Sequence, residues 1–225
     1  MDNKRFNDIE KSHTFRHICE LFELKQKSVL DIGCGQGQYL RHFGKGSLGI
    51  TTAQEEVEFG VQNSLPIIFS NAEEMSNALV GKRFDAFWAN NLFEHLLSPH
   101  SFLMKLKQFS AEESVLVLGV PVLPKILSLL KLNRFRGALA SNHINFFNLR
   151  TLKLTVERTG WKVISIRPFI FKNSLLDKII RPIAPHLYVV AKNDINFVYP
   201  AKKVGEWKDD EKYRDLLSIT NQNVR

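Results

Sequence analysis

Two cysteines in 225 residues, Cys19 and Cys34, are too few for a disulfide framework, and no Cys/His spacing typical of a zinc site accompanies them. Long apolar runs are missing as well. Nothing approaches the roughly eighteen consecutive apolar residues of a membrane span, and the polar opening MDNKRFNDIEK lacks the apolar core of a secretion signal. Cytoplasmic residence is therefore the expectation. Acidic residues are scarce in one stretch only. From Lys125 to Arg181, 12 Lys/Arg stand against Glu157 and Asp177 alone, while the remainder carries 19 basic and 21 acidic residues. The net charge of +8 thus originates in a single region. Leucines, isoleucines and phenylalanines are interleaved there. That mixture suits a small anionic acceptor, a lipid-linked molecule or a peripheral membrane contact better than an RNA backbone, and nucleic acid is the less favoured partner. Composition sets no oligomeric state.

What is present is an ordinary globular balance, 44% apolar and 24% charged, in a length that suits one α/β domain with elaborations. Strand-like runs recur at Ser28–Ile32, Ser47–Ile50, Leu65–Phe69, Arg83–Trp88, Ser114–Val120, Lys162–Arg167 and Leu187–Ala191, with helical stretches between most of them. Such alternation, with several strands apolar throughout, predicts a mostly parallel seven-stranded sheet with helices on both faces. The chain divides into a helical extension (1–27), a main domain (28–193) with helical covers near 121–145 and 168–186, and a peripheral tail (194–225). An amphipathic helix is expected over 6–22, where His13 and His17, four apart, read as a solvated or substrate-facing pair.

The segment Val29–Leu40, VLDIGCGQGQYL, carries the chemistry. Val29, Leu30 and Ile32 end a buried strand. Asp31 then precedes three alternating glycines, Gly33, Gly35 and Gly37, that let the backbone turn tightly before Tyr39 and Leu40 enter a helix. A dinucleotide fingerprint needs glycine where Gln38 stands, and a carboxylate at the loop serves a phosphate poorly. The same carboxylate favours an ammonium. Cys34, inside the loop, reads as a small side chain that fits rather than as a nucleophile.

An acidic residue running into G-x-G-x-G resembles the first motif of the class I S-adenosylmethionine-dependent methyltransferases. The resemblance extends from about Ser28 to Ala191 and implies the Rossmann-like class I methyltransferase fold, S-adenosylmethionine as cofactor and methyl transfer as the reaction. It places Asp31, Gly33, Cys34, Gly35 and Gly37 around the methionine part of the cofactor. Where most of the family has an acid for the ribose, this chain has Thr51, so Thr51 or Gln54 takes that contact, unless Thr51 simply caps the next helix. Ser70-Asn71-Ala72-Glu73-Glu74 resembles the stretch that receives adenine, with Asn71 at its amino group, the Ala72 amide near a ring nitrogen and Glu73 alongside. Arg83–Leu96 resembles F-D-x-V-x-x-x-x-V-x-E-H-L, with Asp85 anchoring the strand, Asn90 reaching the methionine part and His95 at the mouth of the site.

Pro121–Ala140 follows the end of a parallel strand and reads as an amphipathic helical cover, bearing Arg134 and Arg136 for an anionic acceptor. The next segment, Ser141–Phe147, resembles an acceptor-lining stretch of small-molecule methyltransferases. It makes His143, ahead of His95, the preferred base or acceptor-orienting residue. Arg150 and Arg167 are further candidates for gripping a carboxylate or phosphate. The basic and apolar stretch Phe169–Arg181 suits a membrane or a lipid-linked acceptor. No metal is required by this chemistry and no metal motif is evident. Two other readings remain: RNA methylation, motivated by charge, and a cofactor-binding scaffold without catalysis, motivated by Thr51 and Asn71.

Overall fold

All seven apolar runs become strands in the computed structural model, which describes residues 3–75 and 79–221. They are β1 (Val29–Ile32), β2 (Leu48–Thr51), β3 (Ile67–Phe69), β4 (Phe84–Asn90), β5 (Ser110–Pro121), β6 (Trp161–Arg167) and β7 (His186–Asn193). They form one sheet in the order β3-β2-β1-β4-β5-β7-β6. The first five are parallel, and β7 runs antiparallel to both β5 and β6. The strand order reverses between β1 and β4, which opens a crevice at their C-terminal ends, the usual ligand position in such sheets. The aspartate expected to anchor β4 does so: Asp85 accepts hydrogen bonds from the Ser28 amide and hydroxyl at 2.9 and 2.7 Å.

Successive residues of a strand point to opposite faces, and β4 shows it with its two largest side chains. Phe87 enters a core with Trp161, Phe102 and Leu152, beneath helices α4 (Pro99–Leu106) and α5 (Leu149–Glu157). Trp88 enters the opposite core with Phe15, Val117 and Phe169. Asn148 caps α5 by accepting from the Arg150 and Thr151 amides, which fixes where the helix begins.

The helix expected after the glycine loop is absent. Residues 35–39 are turns, followed by a single 3-10 turn at Leu40–His42. The chain is pulled back early, because the Gly44 amide bonds the carbonyls of Leu24 and Lys27 so closely that a Cβ there would lie 2.7 Å from the Lys27 oxygen. The N-terminal segment covers the space instead. Phe15 packs edge-on against Tyr39, His42, Phe43 and Trp88.

That segment is two helices, α1 (Asn3–Lys11) and α2 (His13–Leu21), rather than one. Ser12 interrupts it by accepting a hydrogen bond from the Phe15 amide as the cap of α2. His17, expected with His13 on a solvated or substrate-facing surface, is not solvated but buried and edge-on to Phe169.

The cover after β5 also departs from expectation. It consists of 3-10 turns at Leu127–Lys131 and Asn133–Leu139, separated by extended Leu132. The two buried side chains of the second turn, Phe135 and Ala138, are three residues apart, the spacing that a 3-10 turn places on one face. The second cover contains helix α6 (Ser174–Ile180). The tail forms α7 (Ala201–Trp207) and α8 (Glu211–Asn221), with Leu216 and Leu217 buried alongside Met104 of α4 and Tyr199. No helix among the described residues is long and apolar enough to cross a membrane.

Candidate active site

The glycine loop turns as its composition demands. Gly33, Gly35 and Gly37 have φ of 71°, 56° and 79°, a region that residues with a Cβ adopt only at a cost. The amides of Gly33 and Cys34 both bond the Ile50 carbonyl at 2.9 and 3.1 Å, which ties the loop to the end of β2. Cys34 is buried against Gly49, where an added Cβ would lie 2.7 Å from its sulfur. Burial pushes its thiol up, so it is a packing residue.

Asp31 is 1% exposed, and its Oδ2 has no hydrogen-bond partner. Burial pushes its carboxyl up to about 8. Two further buried acceptors nearby, Gln36 Oε1 and Asn90 Oδ1, also lack partners. The Asn90 amide nitrogen donates to the Tyr39 hydroxyl at 3.0 Å, placing this side chain beside the loop. A cluster of unpaired acceptors around a buried carboxylate fits a ligand that brings an ammonium.

At the end of β2, Thr51 is buried and its hydroxyl donates to Glu56 in the first turn of helix α3 (Gln54–Gln62). It also accepts from the Ala53 amide at 3.2 Å. Thr51 therefore closes a turn, and Gln54 is exposed at the helix start. Glu56, the carboxylate that Thr51 holds, has its Oε1 3.6 Å from where a Cβ on Gly35 would lie. Sequence reading missed Glu56. Its only signal was its place one turn into a helix that begins at the strand end.

After β3, Asn71 Oδ1 accepts from the Glu73 amide at 2.9 Å and the Asn71 carbonyl accepts from the Met75 amide. Ala72 is buried in the main core. Glu73 turns away, accepting from the amides of Leu97 and Ser98 at 2.9 and 2.7 Å. Its carboxylate holds the start of α4.

Beyond β4 lies a cleft of about 380 Å³ whose lining includes Asn91, Glu94, His95, Arg134, His143 and His186. Glu94 is 1% exposed, and burial raises its carboxyl above the usual value. The side chains of His95 and His143, distant in sequence, meet over it with ring centroids 4.7 Å apart and nearly perpendicular. His143 Nε2 is 3.9 Å and His95 Nε2 4.0 Å from Glu94 Oε1. Backbone bonds from Ile144 and Asn145 to the Glu94 carbonyl, at 3.1 and 3.0 Å, bring the two segments together. Desolvation lowers the pKa of His143. His186, at the start of β7, was missed by sequence reading. It donates from Nε2 to Asn91 Oδ1 at 2.9 Å, and burial pushes its imidazole down to about 4, so it is neutral across the physiological range.

Of the four arginines singled out, Arg134 alone lines this cleft. Arg136 and Arg150 are exposed outside its lining. Arg167 is not available to an acceptor. It is buried and paired with Asp177 at 2.8 Å, donates to the Phe171 carbonyl and lies over the Phe169 ring.

A sheet in this order, with an acid-preceded glycine loop at its switch point, defines the class I S-adenosylmethionine-dependent methyltransferase fold. Solved structures agree. A SAM-dependent methyltransferase from Archaeoglobus fulgidus aligns over 86% of this chain and 100% of its own, with a TM-score of 0.58 at 18% identity. One from Mesorhizobium loti aligns over 82% and 100%, with a TM-score of 0.61 at 13% identity. A tRNA U34 carboxymethyltransferase from Hydrogenovibrio crunogenus is 29% identical over 154 residues, which is 63% of this chain. The match spans 46% of that relative, less than half its length. Residues 5–166 match the methyltransferase-domain family. The chain belongs to that methyltransferase-domain family and has the class I S-adenosylmethionine-dependent methyltransferase fold.

Proposed function

We propose that the chain methylates an oxygen or nitrogen of a small anionic acceptor carried on an apolar, lipid-linked or nucleotide-linked group. The observation behind this reading is the cleft beyond β4, which Arg134 lines together with His143, Glu94 and His186, in a molecule whose two covers expose apolar side chains. Ile126, Leu127 and Leu139 on one cover, and Leu175 and Ile179 on the other, are all more than half exposed, among Lys125, Lys131, Lys172 and Lys178. The two covers meet where the amides of Val122 and Lys125 bond the carbonyls of Pro185 and Pro182. An apolar carrier fits those exposed side chains, and an anionic head fits the guanidinium.

The donor side is assigned to the switch point. Asp31 receives the amino group, Gly33, Gly35 and Gly37 allow close approach, and Asn90 faces the same end. Glu56, held by Thr51, takes the ribose hydroxyls, and Asn71 with the Ala72 amide takes adenine. The cofactor supplies a methyl group on positively charged sulfur and departs as a neutral thioether. The protein's task is then alignment and removal of one proton. His143 and His186 present neutral imidazoles in the cleft for that proton.

The test is methyl transfer, read by mass spectrometry, across nucleotide-linked sugars, carboxylated metabolites and polyprenyl phosphates. Arg134→Ala should raise the acceptor KM at least tenfold and leave the cofactor KM within about twofold. An unchanged acceptor KM would count against the placement. RNA is the second reading, favoured by the tRNA-modifying relative; methylation of tRNA transcripts, with none of the small anions accepted, would select it.

A further inference from the structure

We propose that Glu94, His95 and His143 bind one divalent transition-metal ion at the floor of the acceptor cleft. Three observations carry the assignment. Glu94 is 1% exposed, and neither carboxylate oxygen has a hydrogen-bond partner. A buried carboxylate left in that condition is costly unless a cation answers it. Its Oε1 lies at 3.9 and 4.0 Å from two imidazole nitrogens, too far for hydrogen bonds. All three candidate ligand atoms nevertheless fall within 4.8 Å of one another. Bonds of about 2.1 Å in a tetrahedron place ligand atoms about 3.4 Å apart, so the shell is completed by a contraction of about half an ångström along each carboxylate–imidazole separation and of up to about 1.4 Å between the two imidazole nitrogens.

The surroundings orient the ligands. His95 Nδ1 is 3.1 Å from the Asn142 carbonyl, so Nδ1 carries the proton and Nε2 turns its lone pair toward Glu94. A second-sphere bond of this kind fixes the tautomer of a ligating histidine. The Asn145 side chain donates to the Leu96 carbonyl at 2.6 Å, holding the His143 segment against the Glu94–His95 turn.

Two imidazoles and one carboxylate suit zinc, manganese, iron or cobalt better than magnesium or calcium, which favour oxygen. With three protein ligands the ion keeps at least one position open, and that position faces the cleft beside Asn91, Arg134 and His186. Resting on the methyltransferase reading of the same cleft, the open position takes the acceptor's oxygen or nitrogen. His186 is then the imidazole left to receive the proton.

The full chain, stripped with EDTA and titrated with cobalt(II), provides the test. A single equivalent should bind with visible d–d absorption of an ion carrying nitrogen ligands, and manganese(II) or zinc(II) should compete. Glu94→Gln and His143→Gln should each weaken cobalt(II) binding at least tenfold, with S-adenosylhomocysteine affinity retained as proof of folding. Absence of a stoichiometric cobalt(II) equivalent overturns the site, as does equal affinity in either variant that still binds S-adenosylhomocysteine. The two proposals separate cleanly: one-to-one cobalt(II) binding without methylation of any small anion leaves the ion site standing and rejects the acceptor class.

Discussion

Arg167 and Asp177 form a buried ion pair at 2.8 Å, the aspartate from α6 reaching the end of β6. Asp177 is fully buried and also accepts from the amides of Ile170 and Phe171 at 3.1 and 3.0 Å. One carboxylate thus folds residues 169–171 around the guanidinium and seats the cover that carries α6.

Removing it should cost stability rather than chemistry. Asp177→Ala leaves a buried cation and two amides without their acceptor, and about 3–5 kcal/mol of stability is expected to go. Urea unfolding measures this as a lower midpoint. S-adenosylhomocysteine affinity should change less than threefold, and a selective loss of affinity at unchanged stability would return Arg167 to the binding machinery.

Asp31 makes the apo protein sensitive to pH. The folded state holds its proton up to about 8, against 3.8 for an unperturbed carboxyl. Its contribution to stability is therefore fully present below about pH 4 and is lost as pH rises through about 8. Tm should fall by a few degrees between pH 6 and pH 9, and Asp31→Asn should remove that part of the fall. A ligand ammonium would ionise the carboxyl. Calorimetry of S-adenosylhomocysteine at pH 7 in buffers of different ionisation enthalpy should then show release of about one proton, absent in Asp31→Asn.

Glu56 and Thr51 separate a contact from its support. Glu56→Ala should weaken S-adenosylhomocysteine binding at least tenfold, in keeping with the loss of charge-assisted hydrogen bonds. Thr51→Val, which removes only the hydroxyl that holds Glu56, should weaken it by less. Equal effects would mean that Thr51 makes the contact itself.

Gly119 on β5 has no room for a side chain. A Cβ there would overlap Asn90 Oδ1 and lie 2.7 and 3.0 Å from the rings of Tyr188 and His186. Gly119→Ala should cost about 1–3 kcal/mol and displace Asn90, so that S-adenosylhomocysteine affinity falls with it. Gly205, in α7 with nothing within 4 Å of an added Cβ, provides the contrast. Its change to alanine should gain about 0.5–1 kcal/mol, because it restricts the unfolded chain in a helical position.

The strands and the tight glycine loop were legible in the sequence because both are local. A strand of four buried residues, an acid and three glycines that need positive φ all fall within Val29–Gly37, and seven apolar runs mark seven strands. The register of the sheet and the place of β7 beside β5 involve residues far apart in sequence. The missing helix after the glycine loop was not legible either, since α2 competes for the same surface and Gly44 closes onto Lys27.

The sequence by itself determined the family, the strands and the turn of the glycine loop, because backbone conformation and motif spacing are written residue by residue. Tertiary structure alone decided which charges are free. It paired Arg167 with Asp177, turned Glu73 to α4, brought Glu56 to Thr51 and joined His143 to Glu94 and His95. Each of these outcomes depends on which side chain reaches a partner first in a crowded interior, and adjacency across a fold is not carried by spacing along the chain.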